Sequence, residues 1–275
     1  MPTLNFKNLN VASMLTFLNN ADVDQMQIIE FKKDLIVSKG HPPTKVFVKY
    51  AAAPTDAILE FTNFPEEQEI LKFPVYRLSK FISTLKVYQN AGFDKLTGNI
   101  DYKSNGMELI GEKITINTEK SEMKTVVQRT DMAAVSFLSD DKWNSIASTE
   151  DFVVKFDITK DFTSRIKSLM GISYEDGSNS KKDESFVLEI KDSTVIFSSG
   201  KDAWNSVLPP SNIQSSINTK FDISSKILEW LTTPMQTVYI VKNQHVPDKF
   251  NFIVYENAMS IFINIISEHN PNIYK

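Results

Sequence analysis

No cysteine occurs among the 275 residues, so disulfides, thiolate metal sites and cysteine nucleophiles are excluded. Histidine occurs only as His41, His245 and His269, and no two of these have the spacing of metal ligands. The 8 glycines form no phosphate-binding loop, and the sequence has no G-x-S-x-G elbow around a serine nucleophile. The sequence therefore predicts a protein without metal or cofactor. Carboxylates are abundant, so a carboxylate-dependent hydrolase stays open as an alternative.

Long apolar runs are also missing. The first twenty residues lack an apolar stretch of signal-peptide length, and the longest run, around Ala258–Ile266, is too short to span a bilayer. We therefore expect a soluble intracellular protein without membrane contact. The net charge of −4 is unlike that of a plain nucleic-acid binder, so any DNA contact requires a segregated basic surface.

Most of the chain has the short β-branched and aromatic runs of strands, and four stretches have helical periodicity instead. Thr159 and Ser224 are predicted N-caps, and Gly171 and Pro234 are predicted to end the helices that those residues begin. A solvated loop is predicted over Gly171–Asp183. The predicted helices are Leu9–Asn20, Tyr76–Asn90, Thr159–Met170 and Ser224–Thr233.

A phenylalanine-containing strand end precedes each predicted helix. Phe6 and Phe73 are 67 positions apart (73 − 6), Phe156 and Phe221 are 65 apart (221 − 156), and Phe73 and Phe156 are 83 apart (156 − 73). Two similar intervals around a longer one indicate four copies of a helix-plus-strands unit, paired into two domains. The predicted bounds are 1–129 and 150–275, with a linker over 130–149.

This organisation resembles the bacteriophage-type DNA polymerase sliding clamp. Local matches are the segment Phe73–Phe81, which is similar to the approach to the second clamp helix, and the pair Phe250–Tyr255 and Met259–Ile263, which is similar to the closing hairpin. The resemblance implies an α+β fold of two similar clamp domains, each with two helices packed on antiparallel sheet. It further implies a homotrimeric ring around duplex DNA, a DNA polymerase and an ATP-driven clamp loader as partners, no catalysis, and the cytoplasm of an infected host cell.

Charge is segregated as such a ring requires. The helical windows 7–20, 76–90, 159–171 and 224–234 carry eight cations and two anions, a net +6, so the remainder of the chain carries −4 − 6 = −10. Only three of the 30 basic residues are arginine, and lysine suits loose, sequence-independent phosphate contact better than base recognition. The predicted DNA-facing residues are Arg77, Lys80, Lys86, Lys160, Arg165, Lys167 and Lys226.

Trp143 falls in the predicted linker and has two interpretations. It lines a pocket for partner peptides, as the resemblance implies for this region, or it anchors the linker on its own sheet. For the whole chain, the alternative to a clamp is a non-enzymatic, β-rich virion or assembly protein. The basic helices favour the clamp, because a capsid or tail component does not require them.

Overall fold

The computed structural model divides the chain into two compact units, Met1–Ser139 (unit 1) and Asp140–Lys275 (unit 2). The division falls inside the predicted linker. The structure describes residues 1–22, 27–41, 47–65, 70–76, 78–104, 108–119, 123–131, 140–175, 185–192, 194–199, 205–208, 211–233, 235–246, 248–257 and 260–268.

Unit 1 is an antiparallel-rich sheet with helices inserted at three points. Its helices are α1 (Val11–Ala21), the single turn α2 (Thr55–Ile58) and α3 (Leu78–Asn90). Its strands are β1 (Thr3–Asn10), β2 (Gln27–Phe31), β3 (Leu35–Gly40), β4 (Phe47–Pro54), β5 (Glu60–Phe61), β6 (Leu71–Val75), β7 (Lys95–Ser104), β8 (Leu109–Asn117) and β9 (Lys124–Gln128).

Unit 2 begins with one additional helix, α4 (Asp140–Ala147), and then repeats this order without a counterpart of α2 among its described residues. Its other helices are α5 (Lys160–Glu175) and α6 (Ser225–Trp230). Its strands are β10 (Phe152–Asp157), β11 (Ser185–Lys191), β12 (Thr194–Ser199), β13 (Asn205–Leu208), β14 (Ser211–Ser215), β15 (Thr219–Ser224), β16 (Thr237–Lys242), β17 (Lys249–Asn257) and β18 (Ser260–Glu268).

The strand pairings are duplicated as well as the order. β1 pairs with β5 and β7, as β10 pairs with β14 and β16. β2 pairs with β3 and β6, as β11 pairs with β12 and β15. The meanders β7–β8–β9 and β16–β17–β18 correspond in the same way. All these pairings are antiparallel, so the predicted α+β class with two similar halves is confirmed.

The phenylalanines before the helices explain why the four segments look alike. Phe73, Phe156 and Phe221 are fully buried, and Phe6 is 4% exposed. Burying each ring contributes about 1.5–3 kcal/mol, which fixes the strand end from which the helix departs. Phe6 lies so close to β7 that a Cβ on Gly98 would be 2.5 Å from its ring, so glycine is required there.

The four predicted helices are present, with different ends. Thr159 caps α5 through a 3.0 Å hydrogen bond that its Oγ1 accepts from the Phe162 N–H. Ser224 is the N-cap of α6, but its side chain makes no capping hydrogen bond. The predicted stop at Gly171 is wrong, because α5 continues to Glu175. A glycine costs a helix interior only about 1 kcal/mol, which is too little to end a helix by itself. Residues 176–183 of the predicted loop lie outside the described residues.

Asp101 on β7 links the three neighbouring strands β1, β7 and β8. Its carboxylate accepts hydrogen bonds from Thr3 Oγ1 on β1 (3.0 Å) and Asn99 Nδ2 (2.8 Å), and Lys113 Nζ on β8 lies 2.8 Å away. The hydrogen bond from Lys113, with those from Thr3 and Asn99, lowers the pKa of Asp101 against the opposing effect of burial. The ionised carboxylate is therefore the form that stabilises the fold.

We expect Asp101→Asn to lower the free energy of unfolding at neutral pH by about 1 kcal/mol, a value that allows for the solvent exposure of Lys113. Because the folded pKa is depressed, the contribution is present above the unfolded pKa near 3.8 and is lost as the pH falls through the folded pKa. Denaturant unfolding near neutral pH and near pH 3 should show a variant deficit that shrinks in acid. The exposed Asp94→Asn variant is the control, and an equal deficit at both pH values would contradict the role of Asp101.

Candidate nucleic-acid interface

Helix α3 separates an apolar face from a basic one. Leu78, Phe81 and Leu85 are buried in the core of unit 1, whereas Lys80 and Lys86 are exposed. Their separation follows from the 100° advance per residue of an α-helix. Within the described residues, no carboxylate pairs with either lysine. The outer face of α3 therefore carries two positive charges that no acidic side chain in the described part of the chain neutralises.

Helix α5 in unit 2 has the same arrangement. Phe162 and Ile166 are fully buried, and Lys160 and Lys167 are exposed without an ion-pair partner in the described part of the chain. Arg165 is also exposed, but its Nε lies 3.2 Å from Asp161 on the same helix. Since both side chains are about half exposed, this pair contributes little stability, and it reduces the net positive charge at Arg165.

The other sequence-predicted cations have different placements. Arg77 lies outside the described residues. Lys226 is on α6, but its side chain is not described. Lys7, the only cation in the first helical window, lies on β1 rather than on α1 and forms a 2.8 Å ion pair with Glu60. Counting Lys7 with the first helix is therefore wrong, because α1 begins four residues beyond that lysine.

Cations on and beside the strands of unit 1 are frequently paired, in contrast to the lysines of α3. Lys72 pairs with Glu108, and Lys113 pairs with Asp101. Lys103 and Arg129 both contact Glu112. These pairs leave little free positive charge in their neighbourhood. Unpaired ammonium groups on α3 and α5 are thus the strongest candidates for contact with an external anion.

Strand β9 is an open edge of unit 1, and its register shows which backbone groups are free to pair outward. β9 pairs only with β8 among the described strands. The Arg129 N–H donates to Glu112 O and the Thr118 N–H donates to Met123 O, so odd-numbered β9 residues face β8. The peptide groups of Lys124, Val126 and Gln128 consequently point away from β8.

The side chains of β9 support the same conclusion. Val126 is 43% exposed, whereas Val127 packs against the core. In unit 2, β13 likewise pairs only with β12 among the described strands. An edge with free peptide groups and an exposed apolar side chain can accept a strand from another chain. The sequence predictions did not identify this edge.

Trp143 lies on α4 and is only 7% exposed, so its indole presents little surface. Polar contacts with the β16–β17 hairpin hold the end of this helix. Asn251 Nδ2 donates to Ile146 O at 3.2 Å, and the Tyr255 hydroxyl donates to Ala147 O at 3.1 Å. Burial, with Tyr239 nearby, raises the pKa of Tyr255 and keeps this donor protonated. The placement fits the interpretation of Trp143 as an anchor residue.

An open cleft of about 730 Å³ lies beside β1, α2 and β5, and its lining includes Asp34, Asp56 and Glu60. Hydrogen bonds from Lys7 and Asn8 lower the pKa of Glu60. A carboxyl that acts as a general acid near neutral pH requires a raised pKa, so the shift at Glu60 is opposite to that need. No group of three or more potential metal ligands occurs within the described residues.

No described helix is both long and apolar enough to cross a membrane. No protein-family model matches the sequence, and no curated protein matches it in sequence.

The fold, in contrast, is similar to several solved structures along nearly its whole length. Proliferating cellular nuclear antigen (PCNA) from Entamoeba histolytica has a TM-score of 0.62 and 11% identity, covering 98% of this chain and 100% of that one. The PCNA2–PCNA3 complex from Sulfolobus tokodaii has a TM-score of 0.56 and 12% identity, covering 96% and 99%. PCNA from A. fulgidus, with the C-terminal region of FEN-1 bound, has a TM-score of 0.58 and 10% identity, covering 97% and 98%. These are sliding clamps, so the chain has the sliding-clamp fold.

Proposed function

We propose that this chain is a DNA sliding clamp of the bacteriophage type. Three copies form a closed ring around duplex DNA in the cytoplasm of an infected host cell. Residues 130–149 connect the two domains of each copy. The ring tethers a DNA polymerase for processive synthesis, is placed on DNA by a clamp loader, and catalyses no reaction itself.

The unpaired lysines on the exposed helix faces carry this proposal. Lys80 and Lys86 on α3, and Lys160 and Lys167 on α5, are available to phosphates. A lysine ammonium is a point charge on a flexible stem, so it contacts phosphate without fixing position or sequence. Weak contacts of this kind let a protein move along DNA. Arg77, Arg165 and Lys226 complete the proposed DNA-facing set.

Two open edges support assembly into a ring. β9 belongs to unit 1 and β13 to unit 2, so pairing β9 of one copy with β13 of the next is a head-to-tail contact between different surfaces. Such contacts close into a ring when the rotation from one copy to the next is a whole fraction of 360°. In the closed ring every β9 edge is paired with a β13 edge, so no strand edge at this contact stays exposed. The similar Sulfolobus tokodaii structure is itself a complex of two different PCNA chains.

Partner proteins are proposed to dock short hydrophobic peptides on the surface around α4 and Trp143. The A. fulgidus PCNA structure, which contains a C-terminal region of FEN-1, supports peptide docking as a property of this fold. Because Trp143 is buried, it would support such a pocket from below rather than contact a peptide directly.

Light scattering over a wide concentration range tests the proposal. We expect one discrete species at about three times the 31.3 kDa mass of the chain, with dissociation to monomer only on dilution. In a second measurement the purified ring threads onto a linear duplex through its free ends, and both ends are then blocked in one half of the sample. A clamp is retained only when the ends are blocked. A monomer at all concentrations, or an open polymer, would instead favour a strand-rich assembly protein.

A further inference from the structure

The two neighbouring helices of unit 1 differ sharply in charge. α1 and α3 contact each other and share one hydrophobic core cluster. α1 contains no charged residue from Val11 to Ala21, whereas α3 carries Lys80 and Lys86 and no acidic residue. Two helices that share one core therefore present different surfaces, neutral on α1 and basic on α3.

The outer face of α1 is a stripe of small, uncharged side chains. Ala12, Thr16 and Asn19 are exposed, and at 100° per residue they fall within about 60° of one another. The opposite face, including Met14, Leu18 and Ala21, is buried. Nothing on this stripe supplies the positive charge that releases counterions from DNA.

Hydrogen bonding also reduces the ability of the outward hydroxyls to bind phosphate. Thr16 Oγ1 donates to Ala12 O on α1 at 3.0 Å. On α3, Ser83 Oγ donates to Ser79 O at 2.8 Å, and Thr84 Oγ1 donates to Lys80 O at 3.0 Å. Each hydroxyl has a single proton, so it presents only lone pairs to solvent while this bond persists. The ammonium groups of α3 are left as the main phosphate ligands.

We infer that, of the two neighbouring helices α1 and α3 in unit 1, only α3 holds duplex DNA, through its lysines, while α1 forms a neutral wall that makes no ionic contact with phosphate. The inference rests on the proposed function and deepens it. The contacts to DNA in this unit are unequal between the two helices, and one side of the duplex meets a surface without charged donors. This arrangement keeps the energy differences between successive positions on DNA small.

The test is equilibrium binding of a short fluorescent duplex to the intact protein over a series of salt concentrations. Each phosphate contact contributes about 0.9 to the slope of log affinity against log salt concentration. Thr16→Lys should steepen the slope by about that amount for each new contact and should strengthen binding. Thr16→Gln, which is similar in reach but uncharged, and Thr16→Ala should both match the wild type. Lys80→Gln with Lys86→Gln should flatten the slope.

The outcomes separate the inference from the proposed function. If Thr16→Lys has no effect while the α3 double variant weakens binding, α1 does not lie beside DNA, and the inference is wrong while the clamp proposal stands. A flatter slope for Thr16→Ala would also overturn the inference, because α1 would then contact phosphate. If the α3 double variant binds DNA as the wild type does, the proposed DNA surface fails and the inference fails with it.

Discussion

Replacing Val126 with proline is expected to convert the trimer to monomers while each monomer stays folded. The register of β9 directs the Val126 N–H away from β8, so proline removes no hydrogen bond within the chain. It removes a donor at the proposed β9–β13 contact, where an acceptor on the incoming strand would be left unpaired. That loss costs about 1–3 kcal/mol, or roughly a 5- to 150-fold weaker association, at each interface.

Light scattering measures the change in mass, and far-ultraviolet circular dichroism verifies that the secondary structure is retained. Val126→Thr is the matched control, because threonine keeps both the N–H and the β-branched shape, and we expect it to remain trimeric. Val127→Pro is the contrasting variant, since its N–H faces β8, and it should destabilise the monomer itself. A trimer that survives Val126→Pro unchanged would show that β9 is not the assembly edge.

Removing the α5 lysines is expected to produce the largest loss of DNA binding in unit 2. Lys160→Ala with Lys167→Ala eliminates two unpaired cations from an exposed helix face, and a trimeric ring repeats the change three times. Each lost phosphate contact should reduce the salt slope by about 0.9, so affinity at low salt falls most. The experiment uses the same fluorescent duplex and salt series in solution.

The double variant Lys191→Ala with Lys242→Ala is the control, because it removes the same number of positive charges as the α5 double variant. Both lysines are exposed but lie at strand ends, on β11 and β16. We expect this pair to lower affinity only slightly, through the general change in net charge, and to leave the salt slope close to that of the wild type. Equal losses in the two double variants would mean that DNA responds to total charge and not to the α5 surface.

Local physical chemistry explains which features could be predicted from the sequence. The four helices carry apolar residues at helical spacing, so α3 and α5 were recognisable from Leu78, Phe81, Phe162 and Ile166. The repeated phenylalanines were informative because each strand must end in the core before a helix can leave it. The cap at Thr159 was also predictable, since it involves a hydroxyl and an amide three residues apart.

Features that depend on neighbours distant in sequence were missed or misplaced. Lys7 was counted with the first helix, but its position on β1 and its partner Glu60 follow from the pairing of β1 with β5. Helix α4 lies within the predicted linker, and the hydrogen bonds that Asn251 and Tyr255 donate to its end cannot be predicted from that segment alone. Gly171 was expected to end α5, and the intrinsic preference of one residue did not decide that boundary.

The sequence by itself determined the α+β class, the duplication and the separation of apolar and basic faces on α3 and α5, because these depend on residue type and on spacing along one chain. Tertiary structure alone decided which cations are neutralised, that α1 is a neutral neighbour of α3, and which peptide groups of β9 remain free. These properties depend on strand register and on side chains brought together from distant positions. A shift of one residue in the β8–β9 register would turn the Val126 N–H inward and remove the proposed assembly edge.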